Sequence, residues 1–317
     1  MFTLILSRLL QLPIILIVIL MVTYLMVWVM PGDPFLAPEG KRPPPAVQEA
    51  WKKEYNMDKG PVYFFGNYAW NIVTRGHFGR SIKKSSVDVE DIIIDGMPVS
   101  AALGLSAIAF ALLLGTTAGV LGALKPGTPL DAGSLAVSLI GISLPSFVTG
   151  AILLAAGAGL TRRYLPDFEI IHLPLGGWSG PANMILPAIA LGLAPSAYIA
   201  RLIRLGLADI MSSDFIRTAR AKGLSHHQAL FKHALKVAFL PVLSFLGPAA
   251  ASAMTGSFVV EQIFNIPGIG QEFVYAVQNK DQSVILGVVL VFATMLILFN
   301  LIVDLAYAWI DPRIELG

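Results

Sequence analysis

Cysteine does not occur anywhere in this sequence of 317 residues. Disulfides, iron–sulfur clusters, cysteine-ligated zinc and thiol nucleophiles are thereby excluded. Charge is scarce as well: Asp, Glu, Lys and Arg make up 13% of the chain against 56% apolar residues, and the mean hydropathy is +0.72. A water-soluble domain could not hide that much apolar surface, so the solvent of this chain is a lipid bilayer.

A nucleotide-binding loop is also missing. Gly122 and Gly127 have the glycine spacing of a phosphate loop, but Thr128 stands where the lysine is required, so this stretch is not a phosphate-binding loop. His226 and His227 are adjacent and His233 lies six residues beyond, which is not zinc-protease spacing; they read as ordinary solvated side chains.

What is present is a set of long apolar runs. A helix needs about 20 mostly apolar residues to cross a bilayer. Six segments meet that length: Leu12–Met30, Pro98–Leu124, Ala132–Leu160, Met184–Ala200, Val237–Val260 and Ser283–Ile310. The first ends in Val29-Met30-Pro31-Gly32, with no small-x-small cleavage site, and is expected to be a retained anchor. Spans two to five contain no ionisable residue, and the sixth contains only Asp304. An ion-coupled secondary transporter, the main alternative for such a chain, would need ionisable relays at that depth. An intramembrane protease would need paired aspartates or a serine–histidine pair, and neither is there.

Basic residues in the short connections and tails divide ten to three. Arg8, Lys125, Arg201, Arg204, Arg217, Arg220, Lys222, Lys232, Lys236 and Arg313 lie on one side, and Arg162, Arg163 and Lys280 on the other. The richer side is expected to be cytoplasmic, with both termini inside. The division expected is a first span within 1–30, a periplasmic element over 31–97 and a core of five spans over 98–317.

The 31–97 element opens on Pro31-Gly32-Asp33-Pro34 and Pro43-Pro44-Pro45, continues through an amphipathic stretch, Ala46–Tyr55, and carries an aromatic cluster of Tyr63, Phe64, Phe65, Tyr68 and Trp70. Such aromatics sit at a membrane interface or dock an external partner. Gly115 and Gly119 form a small-xxx-small face on the second span, and Pro145, Pro187, Pro195, Pro241 and Pro248 punctuate the third to fifth.

From Arg201 to Lys236 seven basic residues face only Asp209 and Asp214. Ser212, Ser213 or Asp214 can cap a first helix, Gly223 suits a left-handed helix end, and Ser225 with Gln228 makes a capping box for a second helix. The pattern leaves two readings open. One is a basic helix lying on anionic lipid; the other is a surface whose small residues, Thr218, Ala219 and Ala221, admit another protein.

The stretch Arg217-Thr218-Ala219-Arg220-Ala221-Lys222-Gly223, with Leu235 twelve residues beyond the glycine, resembles the "EAA" signature of ATP-binding-cassette importer permeases. It departs from the general signature at Arg217, Thr218 and Lys236. In those departures it is similar to the dipeptide and oligopeptide branch, and most to its first oligopeptide permease subunits. Pro31-Gly32-Asp33-Pro34, Gly76-His77-Phe78-Gly79-Arg80-Ser81, the Glu261–Gly270 stretch and Asp311-Pro312-Arg313 resemble that branch too, although His77 stands where the branch has an acidic residue.

The resemblance implies an all-α, six-span type I importer permease with no cofactor of its own. It implies a second permease subunit forming a heterodimer, two ATPase subunits holding ATP and magnesium, a periplasmic peptide-binding protein, surrounding lipid and no nucleic acid. Arg217, Thr218, Ala219, Arg220, Ala221, Lys222, Gly223 and Leu224, within coupling helices over 212–236, would meet the ATPase. Glu261, Phe264, Pro267, Gly268 and Gly270 would form a signature on the periplasmic side.

Overall fold

Inside hydrocarbon every backbone N–H and C=O must find a partner within the protein, so apolar runs of this length become helices. The computed structural model describes residues 2–35, 43–84, 87–124, 126–164, 174–255 and 258–310, and these are helical apart from turns and one isolated bridge between Arg80 and Asp88. The helices are α1 (Phe2–Val29), α2 (Pro45–Glu54), α3 (Pro61–Arg75), α4 (Val89–Leu124), α5 (Pro129–Ser143), α6 (Ser146–Tyr164) and α7 (Ile185–Met211). They continue as α8 (Asp214–Ala221), α9 (His226–Ala229), α10 (Leu235–Ala238), α11 (Leu240–Thr255), α12 (Phe258–Ile263), α13 (Ile269–Asn279) and α14 (Gln282–Ile310).

Five stretches are long and apolar enough to cross a bilayer: Leu10–Val29, Val89–Leu124, Pro181–Met211, Leu240–Ile263 and Gln282–Ala306. The sixth expected span is broken. Asp131–Ser143 and Ser146–Ala158 meet at 106°, because Pro145 has no N–H to continue α5 and forces Leu144 out of the helical region, to φ −88° and ψ 121°. A second difference is at α4, which starts at Val89, nine residues before Pro98. Its 36 residues reach about 54 Å, well beyond one span.

Contacts divide the chain into two units. The first comprises Phe2–Ser100 with Pro267–Ile297, and the second comprises Ala101–Ile266 with the segment from Leu298 onwards. In the first unit, α3 buries Phe64 and Tyr68 against Leu20 and Tyr24 of α1 and Leu286 and Leu290 of α14. Two hydroxyls fasten this aromatic core: Tyr24 donates to the Pro61 carbonyl at 2.7 Å, and Tyr68 to the Ser283 carbonyl at 3.4 Å. Asp281, almost fully buried, accepts from the Ser81 hydroxyl at 2.5 Å and from the Lys83 N–H at 3.1 Å.

In the second unit α4 and α7 touch backbone to backbone. A Cβ placed on Gly115 would stand 2.5 Å from the Ser196 carbonyl oxygen, and one on Gly119 would stand 2.7 Å from that of Ala200. Gly192 makes the reciprocal approach, 2.5 Å from the Ala107 oxygen. The glycine spacing on the second span thus marks a close helix crossing.

Candidate functional site

The segment after α7 is a preformed helix–turn–helix. Ser213 precedes α8 in extended geometry, but its hydroxyl donates back to the Ile210 carbonyl at 2.5 Å and makes no cap. The expected side-chain cap is therefore absent at this end, and Asp214 adds its charge in the first turn and accepts from Arg217 Nη1 at 3.3 Å. At the other end the Leu224 N–H donates to the Ala219 carbonyl at 3.3 Å and the Gly223 N–H to Arg220 at 2.9 Å, with Gly223 at φ +94°. These two bonds are the Schellman closure, which requires a left-handed residue and so favours glycine.

The second helix starts at once. The Gln228 N–H donates to the Ser225 hydroxyl oxygen at 3.3 Å and the Ser225 N–H donates to the Gln228 side chain at 3.0 Å, completing the capping box. α9 then passes through one π-helical turn, Leu230–Ala234, into α10. The inner faces of both helices, through Ile216, Leu230, Ala234 and Ala238, share a core with Ile203 and Leu207 of α7.

The outer face is open. Arg217, Thr218, Arg220, Ala221, Lys222 and Gly223 are exposed, and Ala219 and Leu224 are half-buried. His226, His227 and His233 are exposed too, and among the described residues no group of side chains could hold a metal ion.

Behind this element lies an ion pair that sequence reasoning missed. Arg204 of α7 donates from Nε to one oxygen of Asp131 and from Nη2 to the other, the latter at 2.8 Å, and the Gly127 N–H adds a bond at 2.9 Å. Both side chains are largely withdrawn from solvent. The partners are 73 positions apart, so no local pattern could have paired them.

Beyond the pair, α5, α6, α7 and α11 surround an open cleft of about 610 Å³. Its walls are apolar except for the hydroxyls of Ser143, Ser146, Tyr198 and Ser252, and none of its lining residues carries a charge. The break between α5 and α6 opens onto it, with Leu144 and Pro145 in the lining. Irregular backbone at membrane depth is tolerated where it is covered by protein or lines a watery cavity.

Most of the Glu261–Gly270 stretch is packed inside the protein. Glu261, Phe264, Gly268 and Gly270 are buried, whereas Gln262, Asn265 and Pro267 are exposed. Asn265 takes a left-handed φ of 51° to end α12, and Phe264 offers its carbonyl to the Gly177 N–H at 2.8 Å. Past Pro267, Ile269 donates its N–H to the Ser100 hydroxyl oxygen at 3.0 Å. In the Gly76–Ser81 motif, His77 Nδ1 lies 2.6 Å from Glu90 Oε1, which also accepts the Phe78 N–H at 2.8 Å. That pairing gives His77 a role its sequence position left open. Asp311-Pro312-Arg313 lies outside the described residues.

Residues 95–316 match the family model described as the inner membrane component of binding-protein-dependent transport systems, and residues 1–104 match the corresponding N-terminal model. The chain is 38% identical over 299 residues to the dipeptide transport system permease protein of Bacillus subtilis, covering 94% of this chain and 93% of that one. It is 40% identical over 302 residues to the oligopeptide transport system permease protein of Escherichia coli strain K12, covering 94% of each. Among solved structures it shares its fold with an inward-facing form of the MetNI methionine ABC transporter, with TM-score 0.53 and 17% identity over 70% of this chain and 97% of that one. An amino acid ABC transporter gives TM-score 0.52 and 19% identity over 69% and 94%.

Proposed function

The chain belongs to the family of inner-membrane components of binding-protein-dependent transport systems, and we propose that it is a permease subunit that imports dipeptides or oligopeptides at the expense of ATP hydrolysed elsewhere. It is a multi-pass inner-membrane protein with the type I importer fold, and family membership sets aside the ion-coupled alternative. The reading of the cargo rests on the peptide permeases to which it is 38–40% identical along almost its whole length.

The observation that carries the mechanism is the exposed α8–Gly223–α9 element, rigid at its turn and fixed to α7 from beneath. In our reading both termini and this element are cytoplasmic, and Arg217 to Leu224 occupy a recess on an ATPase subunit that binds ATP and magnesium. Movement of the ATPase would be handed to α7 through the buried contacts of Ile216 and Leu230 with Ile203 and Leu207. Arg204 would pass it to α5 through Asp131, and α5 and α7 both border the cleft.

The cleft would then be this subunit's wall of the passage, closed by a second permease subunit and supplied by a peptide-binding protein outside. Four hydroxyls and the freed backbone at the α5–α6 break support that role, since they offer a peptide hydrogen bonds without a charge to trap it. Affinity purification of the chain from its native membrane tests the assembly. Recovery of a second permease and an ATPase pair whose hydrolysis is stimulated by a peptide-loaded binding protein is expected. Recovery of the chain alone with peptide uptake driven by a proton gradient would overturn the reading.

A further inference from the structure

α3 lies outside the apolar spans yet exposes a face that water should reject. Val62 is 85% exposed, Trp70 66% and Val73 82%, with Gly66 between them on the same side of the helix. That side is opposite Phe64 and Tyr68, which pack on α1 and α14. One edge only is polar: Asn67 and Asn71 line a small polar pocket together with Tyr55, His77 and Arg80. The helix is therefore apolar on two sides, covered on the first and bare on the second.

We propose that the bare face of α3 is seated in the bilayer surface, among anionic phospholipid headgroups on the side where α1 ends. Depth is the first argument. The Tyr24 hydroxyl bonds to the carbonyl of Pro61, the first residue of α3, and Tyr24 is five residues short of the end of α1 at Val29. At 1.5 Å per residue the start of α3 sits about 7.5 Å inside the end of that span. An interfacial helix buries its apolar face about 5–10 Å into the headgroup boundary.

Continuity is the second argument. α1 is itself bare and apolar along this stretch, with Met26 70% and Val29 78% exposed. Charge is the third. Lys59 and Arg75 flank the helix, both exposed, and no acidic residue lies between them. Lys59 is held over the Tyr63 ring, 4.5 Å from its centroid and 3.3 Å from its hydroxyl, which keeps the ammonium beside the bare face. Aromatic and basic residues around an apolar stripe are what a phosphate-bearing interface selects.

The absence of cysteine from this chain permits single labels to be placed on it before the transporter is assembled. Nitroxides at Val62→Cys and Val73→Cys, with Lys53→Cys as a water-exposed reference on α2, would be examined in bilayers of phosphatidylethanolamine and phosphatidylglycerol. Oxygen should relax the labels at 62 and 73 more than a water-soluble nickel chelate does, with the order reversed at 53. Adding Lys59→Gln and Arg75→Gln should raise chelate access at 62 and 73; no change would remove the anionic part of the proposal. Three outcomes overturn the seating itself: chelate-dominated relaxation at 62 and 73, immobilisation of those labels only when the peptide-binding protein is added, or shielding from oxygen and chelate alike by another subunit.

Discussion

Arg204 holds Asp131 in a two-pronged grip across 73 residues of sequence, and the Gly127 N–H completes the ring of donors around that carboxylate. Paired donors on a carboxylate fix direction as well as distance. The grip joins α5 to α7 just beyond Ile203, which packs on the coupling element.

Removing one side of such a pair is worse than removing both, because the survivor keeps a charge it cannot hydrate fully. Asp131→Ala should therefore lower the melting temperature of the detergent-purified complex, and Asp131→Leu with Arg204→Met should recover most of that loss. Import should stay low in the double variant if the grip transmits movement. Full recovery of import would make it a packing device.

Gly223 has open space where a Cβ would go, so a substitution meets strain and no clash. Backbone strain at φ +94° is worth about 1–3 kcal/mol. Gly223→Val should leave the membrane core folded while ATPase activity loses its stimulation by peptide, or the ATPase fails to associate. Normal association with normal import would show that the turn is not the coupling element.

The wall assigned to the passage can be mapped with charged thiol reagents. Ser143→Cys and Ser252→Cys should be modified in the working transporter, and modification should block import. Leu139 and Ile152, bare and apolar at 58% and 54%, supply positions where a cysteine should escape a charged reagent. Equal labelling at all four sites would dissolve the distinction between passage and lipid.

Sidedness follows from the ten-to-three division of basic residues. A cysteine at Ser225 should react with an impermeant reagent only after the cytoplasmic face is opened, whereas one at Lys59 should react in intact cells with a permeabilised outer envelope. The reverse pattern would invert the topology.

Legibility in the sequence follows the range of each interaction. The long spans and the Gly223 turn were readable because a helix end and a capping box are decided within six residues, and Ser225 and Gln228 pair as their spacing predicts. Pro145 was readable as an interruption, but a proline signals a bend without its size, and 106° is a fold-back rather than a kink. Ser213 shows a local rule losing to a local competitor, since its hydroxyl takes the Ile210 carbonyl instead of the α8 terminus. Glu261 is a wholly buried carboxylate directly after an apolar run, and its burial is set by packing that its sequence neighbours do not announce. Asp131 with Arg204, and Ser81 with Asp281, depend on chain returns that no window of sequence contains.

Gly115, Gly119 and Gly192 bring the α4 and α7 backbones close together, with Ile199, Ile203 and Phe110 set against the glycines, and that constrains how this unit could change shape. Ridged helices separated by full side-chain layers can be prised apart and repacked, but a glycine has no side chain with which to fill a gap on reopening. Displacement along the seam remains cheap, because small residues present a smooth track, so motion there would be shear of an ångström or two. Any large gap would have to open on the far side of α7, where α5 and α6 meet at a corner rather than along a rail. This half of the molecule would then work as a slide with one hinged flap.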